Sequence, residues 1–470
     1  MPRATARPAP SPKSAPVTAS PAPIPVFPPR PAKPLSTFQI IRTATTNSLS
    51  VCDEQMFDDL IVSRRYGTLR LVVVSDPEAV RQVLLDKFDQ YPRWTNTRRL
   101  FEFELNTGTL SSEGEVWRRH RRAATPVIDP RSIAPDLDAM IAIAERRALQ
   151  LHAHARSGAV VDMQDWLTRY STRIWNHVVT GGDPAGVPMM KWFSRVPHKP
   201  RVLDLVPQPK WMSDLRRMRR GAESAEANAT LDRLIAERRD PNYQGARDMI
   251  WRMVHAIDRG TNEPLPASEA RDEAASLITG GIATVRAMTW IWYLLAIDPE
   301  VEARFHAEID EVLGSGQIDP SAMTRMPYVR RVLDESMRLY PPIPAIMRMA
   351  AQDDELCGVK VPANAVTLVM PWIIHRHRKL WTDPDRFDPD RFLPENSVGR
   401  PRLAYLPFAM GPRVCIAAAV AIQQLMIGIS VLARKFRFRL ADGHEVRPAG
   451  AVSLRVHEGL YMTVERRRGG

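Results

Sequence analysis

The chain has 470 residues, of which 44% are hydrophobic and 25% charged, so it is long and apolar enough to bury a large core. Its formal net charge of +12 comes from 65 basic and 53 acidic side chains, but no stripe of interleaved basic and aromatic residues accompanies that charge, which argues against nucleic-acid binding. Three isolated cysteines, Cys52, Cys357 and Cys415, argue against a disulfide framework and a cysteine zinc site. A reducing compartment, and hence a cytoplasmic protein, is expected.

The first segment is dominated by proline, alanine and basic residues. Residues 1–34 carry twelve prolines, and residues 1–42 carry six basic residues and no acidic one. Because such a segment cannot pack a core, residues 1–36 are predicted to be a disordered tail ahead of a single domain at 37–470. No apolar secretory signal is visible. Two later apolar stretches, 274–297 and 414–432, are predicted to be buried helices, and no transmembrane anchor is expected.

The remaining chain is predicted to be mainly α-helical with small β-sheets. Apolar residues recur at three- and four-residue spacing, the pattern of helices with one buried face, in residues 137–153, 268–297, 299–313 and 328–340. Short β-like runs predict strands at 68–74, 359–361, 365–369, 452–455 and 460–464. No glycine-rich turn of the dinucleotide-binding type follows a strand, so no fused dinucleotide domain is expected.

The segment from Phe408 to Cys415, FAMGPRVC, has the features of a loop that presents a metal-binding thiolate. It precedes an apolar helix, whose free N–H groups are expected to lower the pKa of the Cys415 thiol. Gly411 permits a tight turn beneath a flat cofactor. Arg413 is suited to pair with a carboxylate of that cofactor, and Phe408 to shield the sulfur from water.

This segment resembles the haem-binding loop of the cytochrome P450 superfamily, F-x-x-G-x-R-x-C-x-G. Four of its five fixed positions match, and the last glycine is replaced by Ala417. The resemblance extends over nearly all of the chain after the tail. It implies the cytochrome P450 fold of soluble, bacterial-type members, with haem b between the long helix at 268–297 and the helix that starts near Cys415. It also implies that Cys415 is the axial ligand of the haem iron.

Upstream motifs of the family occur in the expected order. Trp117-x-x-x-Arg121 resembles the W-x-x-x-R helix, in which both side chains lie on one helix face. Arg348 matches the position of a second arginine that the family uses near the haem. The resemblance therefore implies that Trp117, Arg121, Arg348 and Arg413 hold the haem propionates.

Two further motifs concern the core beneath the haem. Glu335-x-x-Arg338 resembles the E-x-x-R helix motif of the family, in which residues three apart share a helix face. Arg391 lies in a PDRF segment that resembles P-E-R-F, with aspartate in place of glutamate. The resemblance implies that Glu335, Arg338 and Arg391 form a structural brace.

The long helix departs from the family pattern [AG]-G-x-[DE]-T, which places an acid and an alcohol above the iron. Aligned on its glycines, the run Gly280-Gly-Ile-Ala283-Thr284 keeps the alcohol at Thr284 and replaces the acid with Ala283. Aligned instead on Thr289 and Trp290, it places Ala283 at the alcohol position. The first register is the preferred prediction and makes Thr284 the residue that assists oxygen activation, with protons arriving through water or a substrate group.

The resemblance implies a monooxygenase that inserts one oxygen atom of O2 into an apolar small molecule. Electrons are expected from NAD(P)H through a separate ferredoxin and its reductase, and a monomer is expected. Two alternatives stay open: a peroxide-using peroxygenase or isomerase, because of the missing acid, and a haem-binding sensor or carrier without turnover. Candidate residues for docking an acidic ferredoxin are Arg118, Arg119 and Arg122. The pocket is expected to draw on residues 94–110, 187–212 and the stretch before Gly280.

Overall fold

The computed structural model describes residues 22–194 and 210–467, most of which lie in helices. The α-helices are α1 (Thr37–Thr46), α2 (Gln55–Asp58), α3 (Pro77–Arg81), α4 (Thr95–Leu105), α5 (Gly114–Ala124), α6 (Pro130–Ile133), α7 (Leu137–Ala148), α8 (Leu151–Ser157), α9 (Met163–Thr180), α10 (Gly186–Phe193), α11 (Lys210–Arg239), α12 (Met249–Val254), α13 (Ala267–Gly280), α14 (Ile282–Ile297), α15 (Pro299–Leu313), α16 (Pro327–Leu339), α17 (Pro371–Ile374) and α18 (Ala418–Lys435).

The strands are short and form small sheets. They are β1 (Ile61–Tyr66), β2 (Leu69–Val74), β3 (Val161–Asp162), β4 (Ile257–Asp258), β5 (Glu263–Pro264), β6 (Ile346–Met349), β7 (Asp354–Leu356), β8 (Val359–Val361), β9 (Val366–Val369), β10 (Phe436–Leu440), β11 (Pro448–Gly450), β12 (Leu454–Val456) and β13 (Tyr461–Arg466). The largest sheet has the order β1-β2-β9-β6, with β2 and β9 parallel. A second sheet has the order β10-β13-β3, and three two-stranded sheets complete the set.

Helix α14 lies at the centre of the core. Trp290 on α14 stacks on Tyr340, with ring centroids 3.9 Å apart, and both side chains are fully buried. Trp292 on the same helix packs against Phe438 of β10. The next helix, α15, begins where Pro299 follows Asp298, whose carboxylate accepts the two backbone N–H groups of the first turn. The apolar residues of α14 therefore form a core that α15, α16 and α18 surround.

The predicted single helix at 268–297 is instead two helices, α13 and α14, which meet at Gly281. A Cβ atom at Gly281 would lie 2.9 Å from Trp175 Nε1 and 3.2 Å from the Ile278 carbonyl oxygen. Only glycine lets the chain approach α9 this closely. The predicted helix at 137–153 is also divided, into α7 and α8, so helical periodicity located both segments and missed both breaks.

Most of the other predicted elements are confirmed. The helix at 299–313 has the predicted bounds, and the helix at 328–340 is shifted by one residue, because Pro327 opens it. The strands at 359–361 and 365–369 appear as β8 and β9. The strand at 452–455 begins two residues later, at Leu454, and the strand at 460–464 becomes β13. These match the prediction of a mainly α-helical fold with small β-sheets.

Residues 22–31, the N-terminal strap, differ from the expected disordered tail because they pack on the folded body. The Val26 carbonyl accepts a hydrogen bond from Tyr340, and the Val26 N–H donates to Tyr293 at 3.0 Å. Arg30 pairs with Asp385 and lies over the ring of Phe57 at 4.0 Å. Proline leaves few backbone donors to satisfy, so an extended segment with a few such bonds can pack without a helix or strand. Residues 1–21 lie outside the described residues.

Two helical stretches are long and apolar enough to cross a membrane, Ala267–Ile297 and Ala418–Lys435. Most of each stretch is buried inside the fold. Burial of this kind is what the sequence predicted for both segments, in which Arg286 and Gln424 have side chains almost fully buried.

The predicted brace is present beneath the central helices. Glu335 and Arg338 are fully buried and joined by two hydrogen bonds of 2.6 and 2.7 Å. Arg391 donates to the same carboxylate at 3.1 Å. The remaining donors of Arg338 reach the backbone carbonyls of His375, Pro384 and Arg386. Because every charge has partners, this buried group ties α16 to the loops that lead towards Cys415.

We expect the brace to fail when its carboxylate is removed, because two buried guanidinium groups would then lose their counter-charge. Glu335→Ala should lower the free energy of unfolding by about 3–5 kcal/mol, measured by urea denaturation. The exposed pair of Glu78 and Arg81 has the same three-residue spacing, so Glu78→Ala is the matched control and should change stability little. Equal effects of the two substitutions would contradict the assigned role of the brace.

Candidate functional site

A cavity of about 340 Å³ lies between α13–α14 on one side and the segment leading to α18 on the other. Of the segments expected to form the pocket, the first contributes Phe101, Thr109 and Leu110. The stretch before Gly280 contributes Ser276, Leu277 and Thr279. The second segment, 187–212, lies partly outside the described residues, and its Met189, Met190 and Phe193 are core side chains. The cavity also brings together predicted site residues from distant parts of the chain, namely Trp117, Arg121, Thr284, Arg348, Phe408, Arg413 and Cys415.

The segment before Cys415 folds as a tight loop that presents the thiol to this cavity. Gly411 has φ +73°, and a Cβ atom there would lie 2.0 Å from the Leu84 carbonyl oxygen, so only glycine fits. The N–H of Cys415 donates to the carbonyl of Phe408 at 2.9 Å, which closes the loop. Helix α18 then begins at Ala418, three residues after the thiol. The tight turn predicted at Gly411 agrees with that geometry, and the shielding role of Phe408 stays a prediction.

The pKa of the Cys415 thiol differs from the expectation. Burial in the protein raises it, and this outweighs the N–H of Ala417 and the positive charge of Arg121, which both lower it. The positive potential at the N-terminus of α18, which begins three residues after Cys415, does not offset the cost of burying a thiolate. A cation bound at the sulfur would supply the missing positive charge, since a coordinating thiol is deprotonated outright.

Three buried guanidinium groups converge beside the cavity, those of Arg93, Arg348 and Arg413. Burial and the charge of neighbouring arginines lower the pKa of Arg93 to about 9 and that of Arg348 to about 10. Burial likewise lowers the pKa of Arg413 to about 10, although Glu113 pairs with it. Glu113 acts on all three groups and Glu273 acts on Arg93, so the guanidinium groups still outnumber the carboxylates, which favours an anionic ligand with more than one acidic group.

Helix α5 adds Trp117 and Arg121 to the same wall, one helical turn apart. The guanidinium of Arg413 lies 4.2 Å from the centre of the Trp117 ring, so the indole supports that arginine. Arg121 lines the cavity, and its guanidinium makes no hydrogen bond or ion pair within residues 22–194 and 210–467. It is therefore free to donate to a bound molecule.

These features fit a haem group. Its two propionates would relieve the repulsion among Arg93, Arg348 and Arg413, with Arg121 as a further donor. The Cys415 sulfur would face the iron across the cavity floor, and apolar residues of α13 and α14 would cover the opposite face. When bound, haem with a thiolate ligand supplies the redox centre that activates oxygen.

Thr284 borders the cavity but its hydroxyl is committed elsewhere. It donates to the Gly281 carbonyl at 2.8 Å and lies 3.4 Å from the hydroxyl of Ser171 on α9. Thr284 is only 4% exposed, whereas Gly280 and Ala283 are open to the cavity. Ala283 and Thr284 both line the cavity, so the register that makes Thr284 the oxygen-activating residue stays a prediction.

Three functional residues were missed in the sequence. Arg93 belongs to no motif, and only the fold reveals that it bridges to the strand of Arg348. Glu113 is an ordinary acidic residue until the fold pairs it with Arg413. His375 accepts the N–H of Leu406 at 2.8 Å and is held neutral, because burial and Arg338 lower its pKa to about 3. It connects the brace to the segment before Phe408.

The three arginines considered for docking a ferredoxin are already paired. Arg118 contacts Asp89 at 2.7 Å, Arg119 contacts Glu269, and Arg122 contacts Asp258 at 2.7 Å. Each cation therefore has an acidic partner within this chain. They offer less free positive charge to a partner protein than their sequence suggests.

Comparison with known proteins decides the family. The family profile described as Cytochrome P450 matches residues 29–461. The chain belongs to the cytochrome P450 family. The heme domain of cytochrome P450DA has the same fold, with a TM-score of 0.76 at 19% identity, covering 94% of this chain and 98% of that one.

Several curated cytochromes P450 and relatives match much of the chain. Cyclooctat-9-en-7-ol 5-monooxygenase of Streptomyces melanosporofaciens is 29% identical over 82% of this chain and 83% of its own. Putative cytochrome P450 132 of Mycobacterium tuberculosis is 28% identical over 93% and 97%. Protein LUTEIN DEFICIENT 5 of Arabidopsis thaliana, described as chloroplastic, is 27% identical over 86% and 71%. The chain is thus a cytochrome P450 monooxygenase with haem b as its cofactor.

The cytochrome P450 should show thiolate ligation through Cys415. The reduced protein with bound CO should give the strongly red-shifted haem absorption band, and Cys415→His should move that band to the position of histidine-ligated haem. Cys357→Ser removes an exposed thiol from the turn between β7 and β8 and should leave the band unchanged. A wild-type spectrum of the histidine type would refute the assignment of Cys415.

The buried arginines should control haem retention. Arg348→Leu removes one charged hydrogen-bonding group worth about 1.5–3 kcal/mol, so haem affinity should fall roughly ten- to a hundredfold. Transfer of haem to an apoprotein acceptor measures this. Arg118→Leu removes an exposed arginine that does not line the cavity and should transfer haem at the wild-type rate. Equal transfer from both variants would exclude the propionate role of Arg348.

Proposed function

We propose that this cytochrome P450 inserts one oxygen atom of O2 into an apolar small molecule. The apolar lining of the cavity opposite Cys415 carries this proposal, with side chains contributed by Phe101, Leu110, Leu277, Ile282, Ile343, Ile346 and Val452. Such a surface gains free energy by excluding water and offers few partners to a charged substrate. The similarity to a relative named as a 5-monooxygenase supports the same reaction class.

Cys415 acts in this proposal as the axial ligand of the haem iron, and Arg121, Arg348 and Arg413 hold the propionates with Trp117. Electrons come from NAD(P)H through a separate ferredoxin and its reductase, and the protein works as a cytoplasmic monomer. The net charge of +12 supports an acidic donor, because opposite net charges speed the encounter of two proteins. The internal pairing of Arg118, Arg119 and Arg122 directs the search for a docking face to other cations.

The alternative oxidant is hydrogen peroxide. One observation favours it: Ala283 stands where the family places an acid, and the only hydroxyl of residues 280–287 that lines the cavity, that of Thr284, is hydrogen-bonded to the Gly281 carbonyl within the described residues. A peroxide substrate brings its own electrons and protons, so it has less need of such groups. Oxygen-dependent turnover stays the main proposal, because a hydroxyl network lies directly behind this helix.

Comparing oxidants tests the proposal. Spectral titration with a panel of fatty acids, terpenoids and aromatic compounds first identifies a ligand that displaces water from the haem. Product formation from that ligand is then measured with NADH, a ferredoxin and its reductase, and separately with hydrogen peroxide alone. We expect product in both and a higher yield with O2 and the electron-transfer proteins. Product with peroxide only would overturn the main proposal in favour of the peroxygenase.

A further inference from the structure

A hydroxyl-lined crevice lies behind the helix break at Gly281, between α9 and the junction of α13 and α14. Its volume is about 20 Å³, enough for a single water molecule, which needs about 10–15 Å³. Trp175, Gly281 and Ile282 line both this crevice and the large cavity. The outer rim carries three hydroxyl side chains that are partly exposed, those of Thr168, Thr172 and Ser194.

One polar atom of the crevice is buried without a hydrogen-bond partner among the described residues. The indole N–H of Trp175 is buried and has no hydrogen-bond partner in the part of the chain that the structure describes. Ser171, which is 2% exposed, also lines the crevice. A water molecule there would satisfy Trp175 by accepting from its N–H, and it would donate to the second lone pair of Ser171 Oγ, which already accepts from Gln424.

The hydrogen bonds beyond Ser171 are ordered towards the cavity. Gln424 Nε2 on α18 donates to Ser171 Oγ at 3.1 Å. Thr284 uses its only proton for the Gly281 carbonyl, so in the 3.4 Å contact between the two hydroxyls Ser171 is the donor. Thr284 in turn is one of the residues that line the cavity. The Ser171 O–H therefore points towards Thr284, whereas the Thr284 O–H points to the Gly281 carbonyl.

We propose that crevice water, Ser171 and Thr284 form a proton relay that replaces the acid missing from this helix. The proposal rests on the proposed use of O2, in which RH, O2, two electrons and two protons give ROH and water. The electrons come from the ferredoxin. For each proton, water passes H⁺ to the free lone pair of Ser171 Oγ while Ser171 gives its own proton to Thr284. Thr284 keeps that proton, turns its original O–H from the Gly281 carbonyl into the cavity and gives the original proton to the reacting oxygen. Solvent at the outer rim returns a proton to the crevice water.

The relay predicts that its removal uncouples electron use from product formation. Ser171→Ala and Trp175→Phe should each lower product per NADH oxidised by on the order of tenfold and raise hydrogen peroxide release. Peroxide-driven turnover should be unchanged in Ser171→Ala, because Ser171 does not line the large cavity and because peroxide and RH balance to ROH and water without external protons. The matched control is Thr289→Val, which removes a buried hydroxyl of α14, the helix that carries Thr284. Among the described residues that hydroxyl bonds only the Val285 carbonyl, so the variant should stay coupled.

The coupling between positions separates a relay from mere packing. Thr284→Val should uncouple as strongly as Ser171→Ala, and the double variant should be no worse than either single one, because both interrupt one path. Additive losses would show two independent effects and overturn the relay. Product per NADH oxidised at the wild-type level in Ser171→Ala would also overturn the relay.

A crystal structure of the haem-loaded protein gives a readout that does not depend on turnover. We expect an ordered water within hydrogen-bond distance of Trp175 Nε1 and Ser171 Oγ, lost in Trp175→Phe. A dry crevice would refute the relay. If the proposed function is wrong, wild type makes no product with O2 and the electron-transfer proteins. If only the relay is wrong, wild type and Ser171→Ala form the same amount of product per NADH oxidised.

Discussion

Repulsion among three buried guanidinium groups is the constraint on which this site depends. Arg93, Arg348 and Arg413 come from separate segments, and the fold brings them together with Glu113 as the nearest counter-charge. Burying such a cluster is costly, and it lowers the pKa of each member. Two haem propionates would relieve the repulsion among the three guanidinium groups, and this relief would contribute to the free energy of haem binding. Because a ligand that binds only the folded state stabilises it, haem content and stability should rise and fall together in this protein.

Hydrogen bonds connect the brace to the segment from Leu406 to Cys415. Glu335 holds Arg338 and Arg391, and Arg338 bonds the carbonyl of His375. His375 accepts the N–H of Leu406, two residues before Phe408. A buried, neutral histidine suits this role, because it accepts on one ring nitrogen and donates on the other without adding charge. The position of Cys415 is thus set by a chain of hydrogen bonds that begins outside the haem pocket.

The sequence predicted the features that depend on local pattern. Helical periodicity and the motifs around Cys415, Glu335 and Trp117 located the fold and most of the site. The sequence did not predict the features that depend on contacts between segments distant along the chain. The break at Gly281 follows from the closeness of Trp175, which is distant in sequence. Arg93 gains its role only when it pairs with the strand of Arg348. The register at Ala283 and Thr284 was ambiguous by one residue, and both residues line the cavity.

The N-terminal strap has a consequence for the order in which the chain acquires its structure. Its hydrogen bonds to Tyr293 and Arg386 span 267 and 364 residues. At a synthesis rate of about 5–20 residues per second, these partners leave the ribosome on the order of tens of seconds after the strap. The strap is therefore synthesised before the residues that hold it in place. Until the segment around Arg386 has emerged, the strap lacks its bond from Arg386, so its cover over Tyr293 and Tyr340 is held by fewer contacts.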